Sequence, residues 1–178
     1  MDVILFCDIS YKYIFLSDKM IIKCTLIGGK GIGKTFFLNN ILSRNCHNYV
    51  PTIGVDFCVY KYRSTKLCIW DTSGDKRFFT ILKNFVLDST ILICMYKDKK
   101  SYDYVKNVLK KVNLNTVVKC IFINVGKKDF SFDVKKEKYY IYCDLRDKNS
   151  CIECLKLIVN TCHKKEIEKD RQWCSFWV

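Results

Sequence analysis

The stretch Leu26-Ile-Gly-Gly-Lys-Gly-Ile-Gly-Lys-Thr35 decides how the chain is read. Before it, Met20 to Ile27 is apolar and strand-like; after it, Phe37, Leu38, Ile41 and Leu42 recur at helical spacing. Between them Gly28, Gly33, Lys34 and Thr35 fit G-x-x-x-x-G-K-[ST], the pattern of a phosphate-binding loop. Such a loop curls so that the backbone N–H groups of Gly28, Gly29, Lys30, Gly31, Ile32 and Gly33 converge on a polyphosphate. The helix start adds unpaired N–H groups and a partial positive charge. Lys34 then reaches the β- and γ-phosphates, and the Thr35 hydroxyl is placed to ligate magnesium. A structural glycine turn is the competing explanation, and the strand before and helix after argue against it.

Working outward, 178 residues suit one domain with a sizeable core, and 49% apolar with 28% charged residues makes it globular. The net charge of +13 raises the question of a nucleic-acid or acidic-membrane partner. The lysines are scattered, with short clusters at Lys97–Lys100 and Lys135–Lys138, and no basic and aromatic platform accompanies them. A solvated surface and no specific nucleic-acid binding is the expectation. Of the 12 cysteines, Cys24, Cys68, Cys94, Cys120 and Cys143 fall at apolar strand positions, where a free thiol acts as a small hydrophobe. Cys151 and Cys154 form a C-x-x-C without a second pair at zinc spacing. All are read as reduced, in a cytoplasmic protein with no secretory signal and no transmembrane run.

Residues 1–19 form an N-terminal extension, either an added element or a mis-assigned start, since Met20 precedes the first clear strand. A nucleotide-binding domain is expected over 20–172 and a short tail over 173–178. Residues 55–62 and 66–71 suggest a hairpin, Ser89–Met95 and Val117–Val125 are apolar strands, and Tyr139–Leu145 is the last strand. Ser101 is expected to cap one helix, and Ser150-Cys-Ile-Glu153 to open the final one as a capping box. Strands alternating with helices predict an α/β architecture, a mostly parallel sheet flanked by helices.

Further motifs in order make the chain resemble the Ras-like small GTPases, and within them the Rab branch. Thr52-Ile-Gly-Val-Asp-Phe57 matches the Rab first switch, Lys66-Leu-Cys-Ile-Trp-Asp-Thr-Ser-Gly74 follows K-L-Q-I-W-D-T-A-G, and Arg77-Phe-Phe-Thr-Ile81 resembles R-F-x-x-I. The resemblance implies the P-loop small-GTPase fold with a six-stranded sheet, and GTP/GDP with Mg2+ as cofactors. It implies metal contacts from Thr35, Thr52 and, through water, Asp71, and a γ-phosphate contact from the Gly74 N–H. It also implies that Ile53, Phe57, Trp70 and Phe85 face effector, exchange or activating proteins of Rab type, with plain core packing as the alternative for the aromatics.

Departures from the family are as informative. The base-recognition segment N-K-x-D reads Gly126-Lys-Lys-Asp129, so Lys127 covers the base and Asp129 selects guanine, without the family's asparagine. The S-A-K segment aligns with Cys143-Asp144-Leu145, which offers only backbone N–H groups. Too few residues separate Asp129 from Tyr139 for a full fourth helix, which is expected to be shortened. Asp75 stands at the position of the catalytic glutamine and Lys30 at a Gly/Ser position of the loop; an ion pair between them across the γ-phosphate is expected. With Lys34 the one remaining catalytic group, hydrolysis should be weak or slow. The tail ends Cys174-Ser-Phe-Trp-Val178, out of register for prenylation, with Trp173, Phe176 and Trp177 near lysines. Peripheral membrane contact, packing on the domain and disorder all remain open for it. The function expected is a monomeric guanine-nucleotide switch in vesicle traffic; the alternative is a non-hydrolysing Rab mimic that sequesters Rab regulators or effectors.

Overall fold

A computed structural model describes residues 13–16, 19–44, 50–112, 119–126, 131–135 and 138–174, with side chains described over 20–44, 50–112, 119–126 and 139–162. In chain order its elements are β1 (Tyr13–Leu16), β2 (Lys19–Ile27), α1 (Lys34–Ile41), β3 (Val55–Tyr62), β4 (Thr65–Thr72) and a 3-10 turn (Lys76–Phe78). They continue with α2 (Phe79–Leu87), β5 (Ile91–Tyr96), α3 (Lys99–Val112), β6 (Lys119–Asn124), β7 (Ser131–Lys135), β8 (Lys138–Tyr142) and α4 (Lys148–Cys174). The sheet runs β3-β4-β2-β5-β6-β8-β7, with β1 added beside β2. The β2–β4, β2–β5, β5–β6 and β6–β8 pairs are parallel, and β3–β4 is an antiparallel hairpin.

The chemistry of the strands explains this order. Ile91, Leu92, Ile93, Cys94 and Met95 of β5 are all fully buried, as a central parallel strand covered on both faces must be. At the edge, β3 leaves Phe57 and Val59 exposed and buries Cys58. One core layer packs Ile22, Leu67, Ile93, Ile121 and Ile141 against Phe37 of α1 and Leu155, Ile158 and Val159 of α4. The opposite layer packs Ile27, Leu92 and Phe122 against Leu82 and Val86 of α2 and Val105 and Val108 of α3. Cutting Ile93 to alanine would cost about 2–5 kcal/mol through lost transfer energy and a residual cavity. The strand ends facing α1 and the loop before it are thereby fixed.

Six of the strands make the expected mostly parallel sheet, and two more extend it. Tyr13–Leu16 pairs antiparallel with residues 19–22 of β2, so part of the N-terminal extension belongs to the sheet. Where a shortened fourth helix was expected, Ser131–Lys135 is instead a strand paired antiparallel with β8. Two caps also differ. Asp98 opens α3, its carboxylate accepting from the Ser101 N–H while Ser101 Oγ accepts from the Asp98 N–H. Asp147 opens α4 by accepting from the N–H groups of Asn149 and Ser150, which leaves the Ser150 hydroxyl for other work. In both places a carboxylate lies just upstream of the serine, and it takes the cap. The final helix runs through Cys174, and 175–178 lie outside the described residues. No helix among the described residues is long and apolar enough to cross a membrane.

Candidate nucleotide site

At the C-terminal end of β2 the chain turns through the glycine loop into α1. Gly33, the residue before the helix, has φ of 100°, a left-handed conformation that L side chains resist. A Cβ there would also collide with the Leu145 side chain from the loop after β8. The loop is thus formed by its own glycines and seated against residue 145. Lys34 folds back over it, its Nζ donating to the carbonyl oxygens of Gly28 at 2.8 Å and Gly29 at 3.1 Å. Burial lowers its pKa to about 8, with the Asp71 charge acting the other way.

Three oxygen donors from different elements meet beside this amine. Thr35 Oγ1 donates to Asp71 Oδ2 at 2.5 Å, and Thr52 Oγ1 lies 2.9 Å from Thr35 Oγ1 and 3.3 Å from Asp71 Oδ2. Asp71 is the next-to-last residue of β4, Thr35 the second of α1, and Thr52 belongs to the segment leading into β3. Burial pushes the Asp71 carboxyl up, opposed by the Thr35 hydrogen bond and the Lys34 charge. Its Oδ1 is buried without a hydrogen-bond partner among the described residues. A buried carboxylate oxygen in that condition is costly unless something pairs with it. Two hydroxyls and a carboxylate are the hard oxygen set that magnesium prefers, so the residues present fit that ion.

The cavity in front of these groups measures about 570 Å3 and is lined by residues 30–36, 51–53 and 72–75 together with Arg77 and Phe78. Gly74 packs directly on the Gly29–Lys30 peptide, so the backbone after β4 sits at the mouth of the glycine loop. Asp75 follows, and here the structure corrects the sequence. Its carboxylate pairs not with Lys30 but with Arg77, accepting from Nη2 at 2.9 Å, Nε at 3.1 Å and the backbone N–H at 3.0 Å. Those bonds hold its pKa down to about 2, and Lys30 contributes only as a more distant charge. Arg77 was legible as a motif residue, yet its role as the clamp was missed. Its signal was an aspartate capping a short turn with an arginine two residues on.

The base side is only partly described. Lys127 and Asp129 lie outside the described residues. The Gly126 N–H donates to Asn124 Oδ1 at 2.9 Å, and a side chain at 126 would run into the Lys97 carbonyl, so this backbone leaves no room for the family's asparagine. Of the three N–H groups in 143–145, that of Cys143 is spent on the Asn124 carbonyl at 3.0 Å and that of Asp144 on Ser150 Oγ at 3.2 Å. The Leu145 N–H is then the candidate donor to a base, and Asn40 of α1 donates to the Leu145 carbonyl. Outside the cavity, Phe57, Trp70 and Phe85 form a row, with ring centroids 4.5 Å and 4.8 Å apart. Phe57 is 43% exposed and Ile53 82% exposed, so the row opens onto a surface beside the first switch.

The parallel sheet, the glycine loop at its carboxyl edge and the hydroxyl–carboxylate cluster together define a P-loop domain of the small-GTPase type. Residues 23–129 match the family described as Roc, Ras of Complex, Roc, domain of DAPkinase. The chain is 31% identical over 144 residues to GTP-binding protein ypt1 of Schizosaccharomyces pombe, covering 77% of this chain and 68% of that protein. It is 34% identical over 125 residues to Ras-related protein RabC of Dictyostelium discoideum, covering 64% of this chain and 62% of the relative. Against Ras-related protein Rab-13 of Bos taurus it is 34% identical over 100 residues, 52% of this chain and 49% of the relative. The chain therefore spans about half to two thirds of the length of these curated relatives. It belongs to the Ras-like small GTPases, as a divergent member of their Rab branch.

Proposed function

We propose that the chain is a guanine-nucleotide switch of the Rab type with slow hydrolysis. The observation that carries this reading is the closure of Thr52 onto Thr35 and Asp71 Oδ2, with Asp71 Oδ1 buried and without a partner among the described residues, beside the Lys34 ammonium. In this reading Lys34 and the N–H groups of 28–35 hold the phosphates, and the Gly74 N–H answers to the γ-phosphate. Thr35, Thr52 and, through water, Asp71 hold magnesium, which when bound would neutralise charge on the β- and γ-phosphates. Lys127, Asp129 and the Leu145 N–H serve the guanine base. Losing the γ-phosphate would release Thr52 and Gly74, and with them the flanking Ile53–Phe57 and Trp70–Phe85 surface that partners read. Effector, exchange and activating proteins of Rab type, a role in vesicle traffic, and a monomeric cytoplasmic or membrane-peripheral state complete the reading.

The clamp between Arg77 and Asp75 supports the slow step. A glutamine orients water by giving and taking hydrogen bonds; a clamped carboxylate donates none and adds negative charge. That same clamp favours the second reading, a Rab mimic that binds nucleotide and partners without turnover. Nucleotide released by acid from the purified protein tests the first claim: guanine nucleotide at near one per chain is expected, and adenine nucleotide would overturn it. Single-turnover assays separate the two readings. Slow but measurable phosphate release supports the switch, and none over days supports the mimic.

A further inference from the structure

Behind the loop at 143–145 lies a group of thiols that nucleotide binding does not use. Cys143 follows β8 and is fully buried beneath the first turn of α4. Its Sγ lies 3.9 Å from Cys151 Sγ and accepts from Ser150 Oγ at 3.6 Å. Cys154, one turn further along α4, is fully buried in the same core cluster. The Cys143 thiol donates to Cys151 Sγ, whose own proton faces the Asp144 and Leu145 carbonyls.

The pair is coupled to the phosphate loop by contacts already on the page. Cys143 is anchored in the sheet through its N–H to the Asn124 carbonyl, and Cys151 in α4 through its N–H to the Asp147 carbonyl. Between these anchors runs the segment carrying Leu145, whose side chain blocks the Cβ position of Gly33 and whose carbonyl is held by Asn40 of α1. Cys151 Sγ itself lies 3.8 Å and 3.7 Å from the carbonyl oxygens of Asp144 and Leu145. A disulfide is about 2.05 Å long, so closing the 3.9 Å gap takes Cys151 Sγ off the Asp144 and Leu145 carbonyls and frees the segment that they hold.

We propose that Cys143 and Cys151 form a reversible dithiol–disulfide switch, oxidised by hydroperoxides, that resets the 143–145 loop against the phosphate loop. The Cys143 sulfur, giving up its proton, attacks the O–O bond of hydrogen peroxide; an S–O bond forms, the O–O bond breaks, and the hydroxide released takes that proton and leaves as water, so that sulfur becomes a sulfenic acid. Cys151, giving up its proton, then attacks that sulfur; the S–S bond forms, the S–O bond breaks, and the departing hydroxide leaves as water. The net change is two thiols and one peroxide to one disulfide and two waters. Both sulfurs are fully buried, behind the half-buried Asp144 and Leu145, so an oxidant reaches them when the 143–145 loop or the start of α4 opens. The consequence for nucleotide affinity rests on the function proposed above; the thiol chemistry and the loop movement do not.

The test treats the full chain with hydrogen peroxide, alkylates the remaining thiols and maps peptides without reduction. Arg146 and Lys148 lie between the two cysteines, so trypsin places them on separate peptides and a link is read directly. A Cys143–Cys151 link that dithiothreitol removes is expected, retained in Cys154→Ser and lost in Cys151→Ser, where dimedone traps the sulfenic acid on Cys143. Amide exchange over 28–35 should quicken several-fold in the linked protein, and GDP should leave several-fold faster until the protein is reduced. No link, a link to another cysteine, or a link that leaves exchange at 28–35 unchanged overturns the proposal. The map of the unmutated chain decides the pairing even if a variant fails to fold. Should the reduced protein bind no guanine nucleotide, the function proposed above fails, while linkage and exchange still decide the switch.

Discussion

Protonation of Lys34 ought to be linked to nucleotide binding, and the structure sets the size of the linkage. In the ligand-free site burial lowers this lysine to about 8. A phosphate beside the ammonium should return it to its ordinary value of about 10.4 or above. Affinity is then lost as pH rises above the ligand-free pKa: about fourfold between pH 7 and 8.5, with roughly 0.75 proton taken up per GDP at the higher pH. Calorimetry at pH 8.5 in two buffers of different ionisation enthalpy reads that proton directly. Lys34→Met should abolish the uptake and weaken GDP by on the order of 2–3 kcal/mol, or about 30–150-fold. Stability runs the other way. The folded pKa lies below the unfolded one, so the penalty for burying the charge is fully present below pH 8 and is relieved toward pH 10.4. The methionine variant without nucleotide should therefore melt no lower than the unmutated protein at pH 7. GDP affinity that is flat from pH 7 to 8.5, with no buffer-dependent heat, would refute the assignment of Lys34 to the phosphates.

Three further outcomes are expected. Asp75→Gln should raise single-turnover GTP hydrolysis, and its effect on GTP off-rate should add to that of Lys30→Gly, because Asp75 is paired with Arg77 instead; strong coupling in that double-mutant cycle would restore the pair across the site. Asp129→Asn should weaken GTP and favour xanthosine triphosphate in competition binding, since the amide presents a donor where xanthine offers a carbonyl; unchanged preference would remove Asp129 from base recognition. Asp147→Ala should destabilise the fold by about 1 kcal/mol in urea unfolding by removing the cap of α4. If Ser150→Ala costs more than Asp147→Ala, the cap has been misassigned.

What the sequence disclosed was what local spacing encodes. The glycine loop, Lys34 and Thr35 occupy eight consecutive residues whose turn chemistry is self-contained, and Asp71 was legible because it lies at the end of a strongly patterned strand. Pairings between distant segments were not legible. Tyr13–Leu16 and Ser131–Lys135 are short edge strands whose identity comes from the neighbour they join, and family likeness pointed to a helix at the second of them. Opposite charges bordering the γ-phosphate suggested a bond between Lys30 and Asp75. An arginine two residues from the carboxylate, already aligned by the 3-10 turn, forms its bonds without ordering a distant side chain. Likewise Ser150 looked like a cap in sequence. With Asp147 filling that role, its hydroxyl turns to Asp144 and to the sulfur of Cys143.

The central claim is that the convergence of Lys34, Thr35, Thr52 and Asp71 is a magnesium-dependent guanine-nucleotide site. Competition binding of GTP, GDP and ATP to nucleotide-stripped protein, with magnesium and with a chelator, tests it most directly. GTP should bind far more tightly than ATP and should weaken more than GDP when magnesium is removed. Equal affinity for ATP and GTP, or GTP binding indifferent to magnesium, would contradict it.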